Sequence, residues 1–108
     1  MYGDILAQMV AWKMGQNFRA VADLLVTRKP CFLFSVTLTG GTGGVSTAVI
    51  RDGHTDTGDI VVDLAAITSD KDHRNYLWPK YFKKGLFVDV GSNITSVTGL
   101  ILEVSGKE

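Results

Sequence analysis

The residues with the chemistry to act are few, and most lie in turns. The segment RDGHTDTGD, residues 51–59, carries Asp52, His54, Asp56 and Asp59 among glycines and threonines. Three carboxylates at short spacing loosely resemble a calcium loop. The spacing is not that of an EF-hand, however, and the distal glutamate of such a loop is missing. His54, Asp56 and Asp59 are the residues a small metal-dependent enzyme would use, whereas Asp and Gly are also the ordinary residues of turns. The other histidine, His73, lies in the charged stretch TSDKDHRN, residues 68–75, with Asp70 and Asp72. A catalytic or metal-binding pair needs both histidines to converge with a third group, and the sequence gives no sign of it. GGTGG at 40–44 lacks the Lys-Ser/Thr that completes a phosphate-binding loop and does not open a helix. No serine stands in a nucleophile-elbow context. Catalytic, cofactor-binding and metal-ligating residues are therefore expected to be none, and the chain is read as a non-enzyme.

A second group of residues can bind rather than react. Tyr76, Trp78, Tyr81 and Phe82 cluster in YLWPKYF, with Lys80, Lys83 and Lys84 among them. Aromatics with interleaved lysines can stack bases or sugars. They can also cover one end of a core, or bury themselves between subunits, where aromatics are enriched.

The elements that must position these groups are mostly strands. CFLFSVTLTG and VSTAVIRD, either side of GGTGG, alternate with period two. Phe32, Phe34, Val36 and Leu38 share one parity. Glycines tolerate the positive φ of hairpin loops, so residues 31–52 read as a β-hairpin. IVVDLAAI at 60–67, LFVDV at 86–90 and SVTGLILEVS at 96–105 are further strands, with turns at 53–59, 83–85 and 91–93. Pro79 cannot donate a ladder hydrogen bond, so 76–82 is an edge, a bulge or a crossing loop, and 68–75 reads as an exposed loop. NFRAVADLLVTR, residues 17–28, fits both a helix and a strand; the Lys29-Pro30 link into the next strand favours strand. DILAQMVAWKM, residues 4–14, is the best helix: Asp4 can cap it, and Ile5, Met9 and Trp12 recur at helical spacing. So short and apolar a helix is marginal alone and is expected to lie on a sheet or on another subunit.

These elements predict one all-β domain over residues 1–108: a small β-sandwich or jelly-roll-like barrel of six to seven strands, with residues 1–16 as a helical N-terminal arm. Its length suits a single core. Eleven basic and eleven acidic residues cancel, so no global field steers the chain to nucleic acid or an anionic membrane. The lone Cys31 excludes an intramolecular disulfide and reads as a small buried hydrophobe. No run is long enough for a membrane-spanning helix, and no basic n-region precedes an apolar run. A soluble protein made in a reducing cytoplasm is expected.

The succession CFLFSVTLTGG, VSTAVIRDG, TDTGD, IVVDL, PKYFKKGLFVDVG and NITSVTGLILEV resembles the small all-β virion proteins of tailed bacteriophages, the head decoration, cement and related structural components. The resemblance spans roughly residues 30–104 and rests on turns and strand pattern. It implies a virion protein, made in the host cytoplasm, that needs no cofactor. Such a protein would form a homo-oligomer, with a trimer favoured, and bury surface against a major capsid or tail protein. Ile5, Met9, Trp12, Tyr76, Trp78, Tyr81 and Phe82 are the candidate interface residues. A carbohydrate- or ligand-binding β-sandwich using the 76–82 aromatics is the alternative.

Overall fold

The computed structural model describes residues 15–104. They form eight strands: β1 (Gln16–Ala20), β2 (Leu24–Thr27), β3 (Cys31–Gly40), β4 (Ser46–Asp52), β5 (Asp59–Ala66), β6 (Lys71–Phe82), β7 (Leu86–Val90) and β8 (Ile94–Glu103). Two four-stranded antiparallel sheets result, ordered β1-β8-β3-β6 and β2-β7-β4-β5. The helix expected at 4–14 lies outside the described residues, as do Ile5, Met9 and Trp12. Gln16, the last residue of the expected helical arm, already pairs in β1 with Ile101.

The pairing has a simple order. The partners β1·β8, β2·β7, β3·β6 and β4·β5 are what a single long hairpin would form, and β3·β8 and β4·β7 join them into the two sheets. Consecutive strands along the chain thus alternate between sheets until β4 and β5. The core lies between the sheets. The first sheet contributes Cys31, Leu33, Val36, Leu38, Phe82, Val97 and Ile101. Opposite them stand Ile50, Leu64, Leu86 and Val88, all with no exposed surface. Each sheet has an inward apolar face, and packing face to face removes both from water.

Several sequence expectations are corrected here. The strands flanking GGTGG form as expected, but they are not a hairpin: β3 pairs with β6 and β8, β4 with β5 and β7. Alternation marks a strand with one apolar face and does not name its partner; these two faces meet across the core instead of side by side. Eight strands replace six to seven because 17–28 is not one strand. The chain breaks at residues 21–23 and changes sheet, and the Asp23 carboxylate accepts the Val90 N–H at 2.9 Å. The parity expected for β3 also fails at its start. Phe34 is an extra residue, since Leu33 pairs with Ile101 and Ser35 with Leu100. This bulge turns Cys31 and Leu33 inward and Phe32 outward, ahead of inward Val36 and Leu38.

Finally, the expected loop at 68–75 is largely strand, the first half of β6. Opposite the inward Val36 and Leu38 stand Arg74 and Asp72. Charge at an inward position is tolerated because β6 is the sheet's edge and the two side chains neutralise each other, with Arg74 Nε 2.9 Å from Asp72 Oδ1.

Candidate functional site

The feature with most potential for recognition is the second half of β6. Leu33 pairs with Lys80 and Ser35 with Asn75, so one residue of β3, Phe34, faces four of β6, Tyr76 to Pro79. A regular ladder cannot absorb three extra residues, and the segment bows out from the edge. Pro79 suits this position because its missing N–H costs no ladder bond. The bow lifts Leu77 and Trp78 into solvent, 50% and 68% exposed, and Tyr81 is 50% exposed where pairing resumes. Leu77, Trp78 and Tyr81 thus form an apolar crest on an edge strand.

The crest is held from several sides. Tyr81 leans on Phe32, its register partner, with ring centroids 5.1 Å apart. The Lys80 ammonium lies over the Tyr76 ring, 5.5 Å from its centroid. Tyr76 is partly buried and packs against the core. Its burial raises the phenol above its usual range, and the nearby Arg74 charge opposes that shift. Phe82 is different: it is fully buried and pairs with Cys31. It belongs to the core and has no surface to offer a partner.

Beside the crest, the first half of β6 closes the gap between the sheets. Arg74 reaches Asp72 through Nε and Nη2, each at 2.9 Å, and donates from Nη2 to the Asp63 carbonyl of β5 at 3.2 Å. Asp72 accepts the Ala65 N–H, also of β5, at 3.1 Å. The two edge strands, which belong to different sheets, are therefore stitched by side chains where no ladder exists. The Arg74 guanidinium holds the Asp72 carboxyl below its usual range. In return, the bond to Asp72 raises Arg74 above its own.

The other sequence candidates are dispersed and internally occupied. His54 donates from Nε2 to the Lys84 carbonyl at 2.7 Å. Asp52 accepts the N–H groups of Lys83 and Lys84 at 3.2 and 2.8 Å. Both residues pin the β4–β5 connection to the β6–β7 turn. His73 faces Thr37 through Nδ1 and Oγ1. Among the described residues no three His, Cys, Asp or Glu groups come together as a metal site, so His54, Asp56 and Asp59 are not gathered into one. Cys31 is buried, and desolvation pushes its thiol up to about 12, with Glu103 and Asp52 adding to the effect. A thiolate nucleophile is not available there.

GGTGG is also spoken for. Gly43 N–H donates to Asn93 Oδ1 at 2.9 Å, Gly41 N–H to the Asn93 carbonyl at 2.8 Å, and Asn93 Nδ2 to the Gly44 carbonyl at 2.7 Å. Ser46 Oγ donates to the same Asn93 carbonyl. Asn93 sits at φ 61°, a left-handed position that Asn accepts more readily than most residues. The Gly41 and Gly43 N–H groups point into this lock, where an anion cannot use them. A shallow depression of about 230 Å³ on the outer face of the second sheet, lined by Thr47, Val49, Arg51, Asp89 and Gly91, has its charges paired as well: Arg51 Nε meets Asp89 Oδ2 at 2.9 Å and Nη1 meets the Gly58 carbonyl at 2.9 Å.

No family model matches this chain, and no curated protein matches it. Of the seven sequence-predicted interface residues, Ile5, Met9 and Trp12 lie outside the described residues, Trp78 and Tyr81 stand on the crest, Tyr76 is half-buried beside it, and Phe82 is buried in the core. Sequence reasoning missed Leu77. The pattern that could have found it is the run of apolar residues before Pro79, too long for one face of a strand.

Proposed function

We propose that this protein is a non-enzymatic structural component that works by burying surface in an assembly, of the kind represented by decoration, cement and related head or tail proteins of tailed-bacteriophage virions. The observation that carries this reading is the apolar crest of Leu77, Trp78 and Tyr81 on an edge strand. Single exposed hydrophobics are common, whereas three exposed apolar side chains within five residues of one edge strand are the kind of group found at contact surfaces. The strand order is that of a jelly roll, an architecture shared by capsid and lectin domains. That support is analogy of fold and weighs less than the crest. Near-zero net charge leaves little repulsion between copies. The assembly is a closed homo-oligomer, a trimer first, docked on a major capsid or tail protein, with Ile5, Met9 and Trp12 as the other contact residues the sequence suggests.

Size-exclusion chromatography with light scattering tests it. The protein elutes as an oligomer, and Trp78→Glu shifts it toward monomer while its circular dichroism is unchanged. A wild-type monomer at high micromolar concentration that also fails to bind purified capsid or tail particles sinks the proposal. One observation favours a second reading. Trp78 and Tyr81 are exposed aromatic rings two residues before and one residue after Lys80, a composition that suits stacking on a sugar, and glycan-array binding lost in Trp78→Ala would select that reading instead.

A further inference from the structure

The crest of β6 brings lysines with it. Lys80 precedes Tyr81, and Lys83 and Lys84 follow Phe82. All three are exposed, and none forms an ion pair among the described residues. This charge limits what the crest can meet on a second copy of the chain. Crest against crest would gather the lysines of both copies, and like charges juxtaposed across a contact oppose it. The outer face of the first sheet is no better. Arg19 pairs with Thr98, and Lys71 pairs with Thr39. Both stand outward, beside the inward Ala20 and Leu38, so the sign there is again positive.

The outer face of the second sheet differs. Val49 pairs with Asp89 on one side and with Asp63 on the other. This row points away from the core, because Ile50, Leu64 and Val88, next along the three strands, are fully buried. Here lies the shallow depression of about 230 Å³ between Thr47, Val49, Arg51, Asp89 and Gly91. It is smaller than the ~300–1,000 Å³ of a small-molecule pocket and suits a single large side chain. Arg51 is held there by Asp89 Oδ2 and the Gly58 carbonyl, each at 2.9 Å. A guanidinium fixed in this way is a plane on which an aromatic ring stacks. Asp63 is exposed, and its carboxylate forms no ion pair among the described residues. We propose that this depression receives the crest of a second copy: Trp78 of one chain enters it on the next, beside Arg51, with Lys80 set against Asp63. The inference rests on the assembly reading and deepens it by naming what the crest meets. The two surfaces are different, so the contact is heterologous. A side edge meeting a sheet face turns each copy relative to the last, as a closed ring requires.

Light scattering on variants of the full chain tests this. Val49→Lys leaves the crest untouched and puts a cation in the depression. It should run as a monomer with unchanged circular dichroism, as Trp78→Glu does. An exposed charge pair gives the second measurement, which decides the matter if Val49→Lys misfolds. Lys80→Asp and Asp63→Lys should each raise the dissociation constant at least about tenfold, and the protein with both changes should recover most of that loss. A folded Val49→Lys protein as oligomeric as the wild type overturns the depression as the crest's partner. A double variant no tighter than the single ones does the same. Either result leaves the assembly reading standing, provided that Trp78→Glu still dissociates the oligomer. A wild type that is itself monomeric at high micromolar concentration overturns this contact between copies directly, and the particle-binding measurement then decides the assembly reading separately.

Discussion

The two halves of β6 use opposite chemistry for opposite ends. Lys71 to Asn75 is charged, yet its inward members are spent inside the molecule: Asp72 and Arg74 bind each other and the backbone of β5. Tyr76 to Tyr81 is aromatic, yet it lifts apolar groups into water. The difference shows that polarity does not decide exposure at a sheet edge. Partners decide it. A carboxylate and a guanidinium that complete each other can line the rim between two sheets, where an edge strand still has free N–H and C=O groups to offer. An aromatic run with a proline cannot stay in register and bows out. One half seals the domain, and the other presents it.

The largest effect is expected where the second half returns to the core. Phe82→Ala empties a fully buried ring site opposite Cys31 and should cost about 3–5 kcal/mol of stability. Urea denaturation checks it. A loss under about 1 kcal/mol would mean that the sheet ends are looser than the burial of Phe82 implies. Next comes the seam. Asp72→Ala leaves Arg74 without its carboxylate and the Ala65 N–H without its acceptor. Because the pair is partly solvated, about 1–2 kcal/mol is expected, below the cost of a buried pair. Trp78→Ala should not approach that figure, and a larger effect at Trp78 than at Asp72 would reverse the assignment of the two halves.

Acid should distinguish the halves too. The Asp72 carboxyl is held below its usual range by Arg74. Its contribution is present above the unfolded carboxylate value of about 3.9 and is lost as pH falls through the lower folded value. Stability of the wild type should therefore fall below about pH 4 more steeply than that of Asp72→Asn, which starts lower and titrates less. Parallel acid limbs in the two proteins would show that the seam does not depend on the charge of Asp72.

The same two halves mark how far the sequence could be read. The alternation of β3, β4, β5, β7 and β8 gave all-β architecture and most strand limits, since one apolar face is a local property. The partner of a strand is not local. GGTGG looks like a hairpin turn, but its hydrogen bonds go to Asn93, about fifty residues away. Residues 68–75 looked like loop because the sequence shows a run of charges and hides that two of them, Asp72 and Arg74, satisfy each other on one edge strand. Phe32 looked inward because alternation carries no mark for a bulge. At the crest, Pro79 did signal an edge or a bulge, and Trp78 and Tyr81 were legible as surface candidates. Phe82 was not separable from them, because the return to register that buries it is set by its pairing with Cys31.

The smallest stability effect is expected at the most exposed aromatic. Trp78 keeps 68% of its surface in water, and it stands on a bow that already lacks ladder bonds. Trp78→Ala should therefore change unfolding free energy by no more than about 0.5 kcal/mol, the range of ordinary surface substitutions. This holds if the ring is free in the molecule that is measured. When the protein is an oligomer through the crest, the same substitution removes a central contact residue, and unfolding becomes linked to dissociation. The apparent loss should then grow as protein concentration rises through the range in which the wild type associates. Denaturation at two concentrations, one well below and one well above association, separates the cases. A concentration-independent loss near the Phe82→Ala value would place Trp78 in the domain's own packing. A small loss when dilute that becomes large when concentrated would place it between chains.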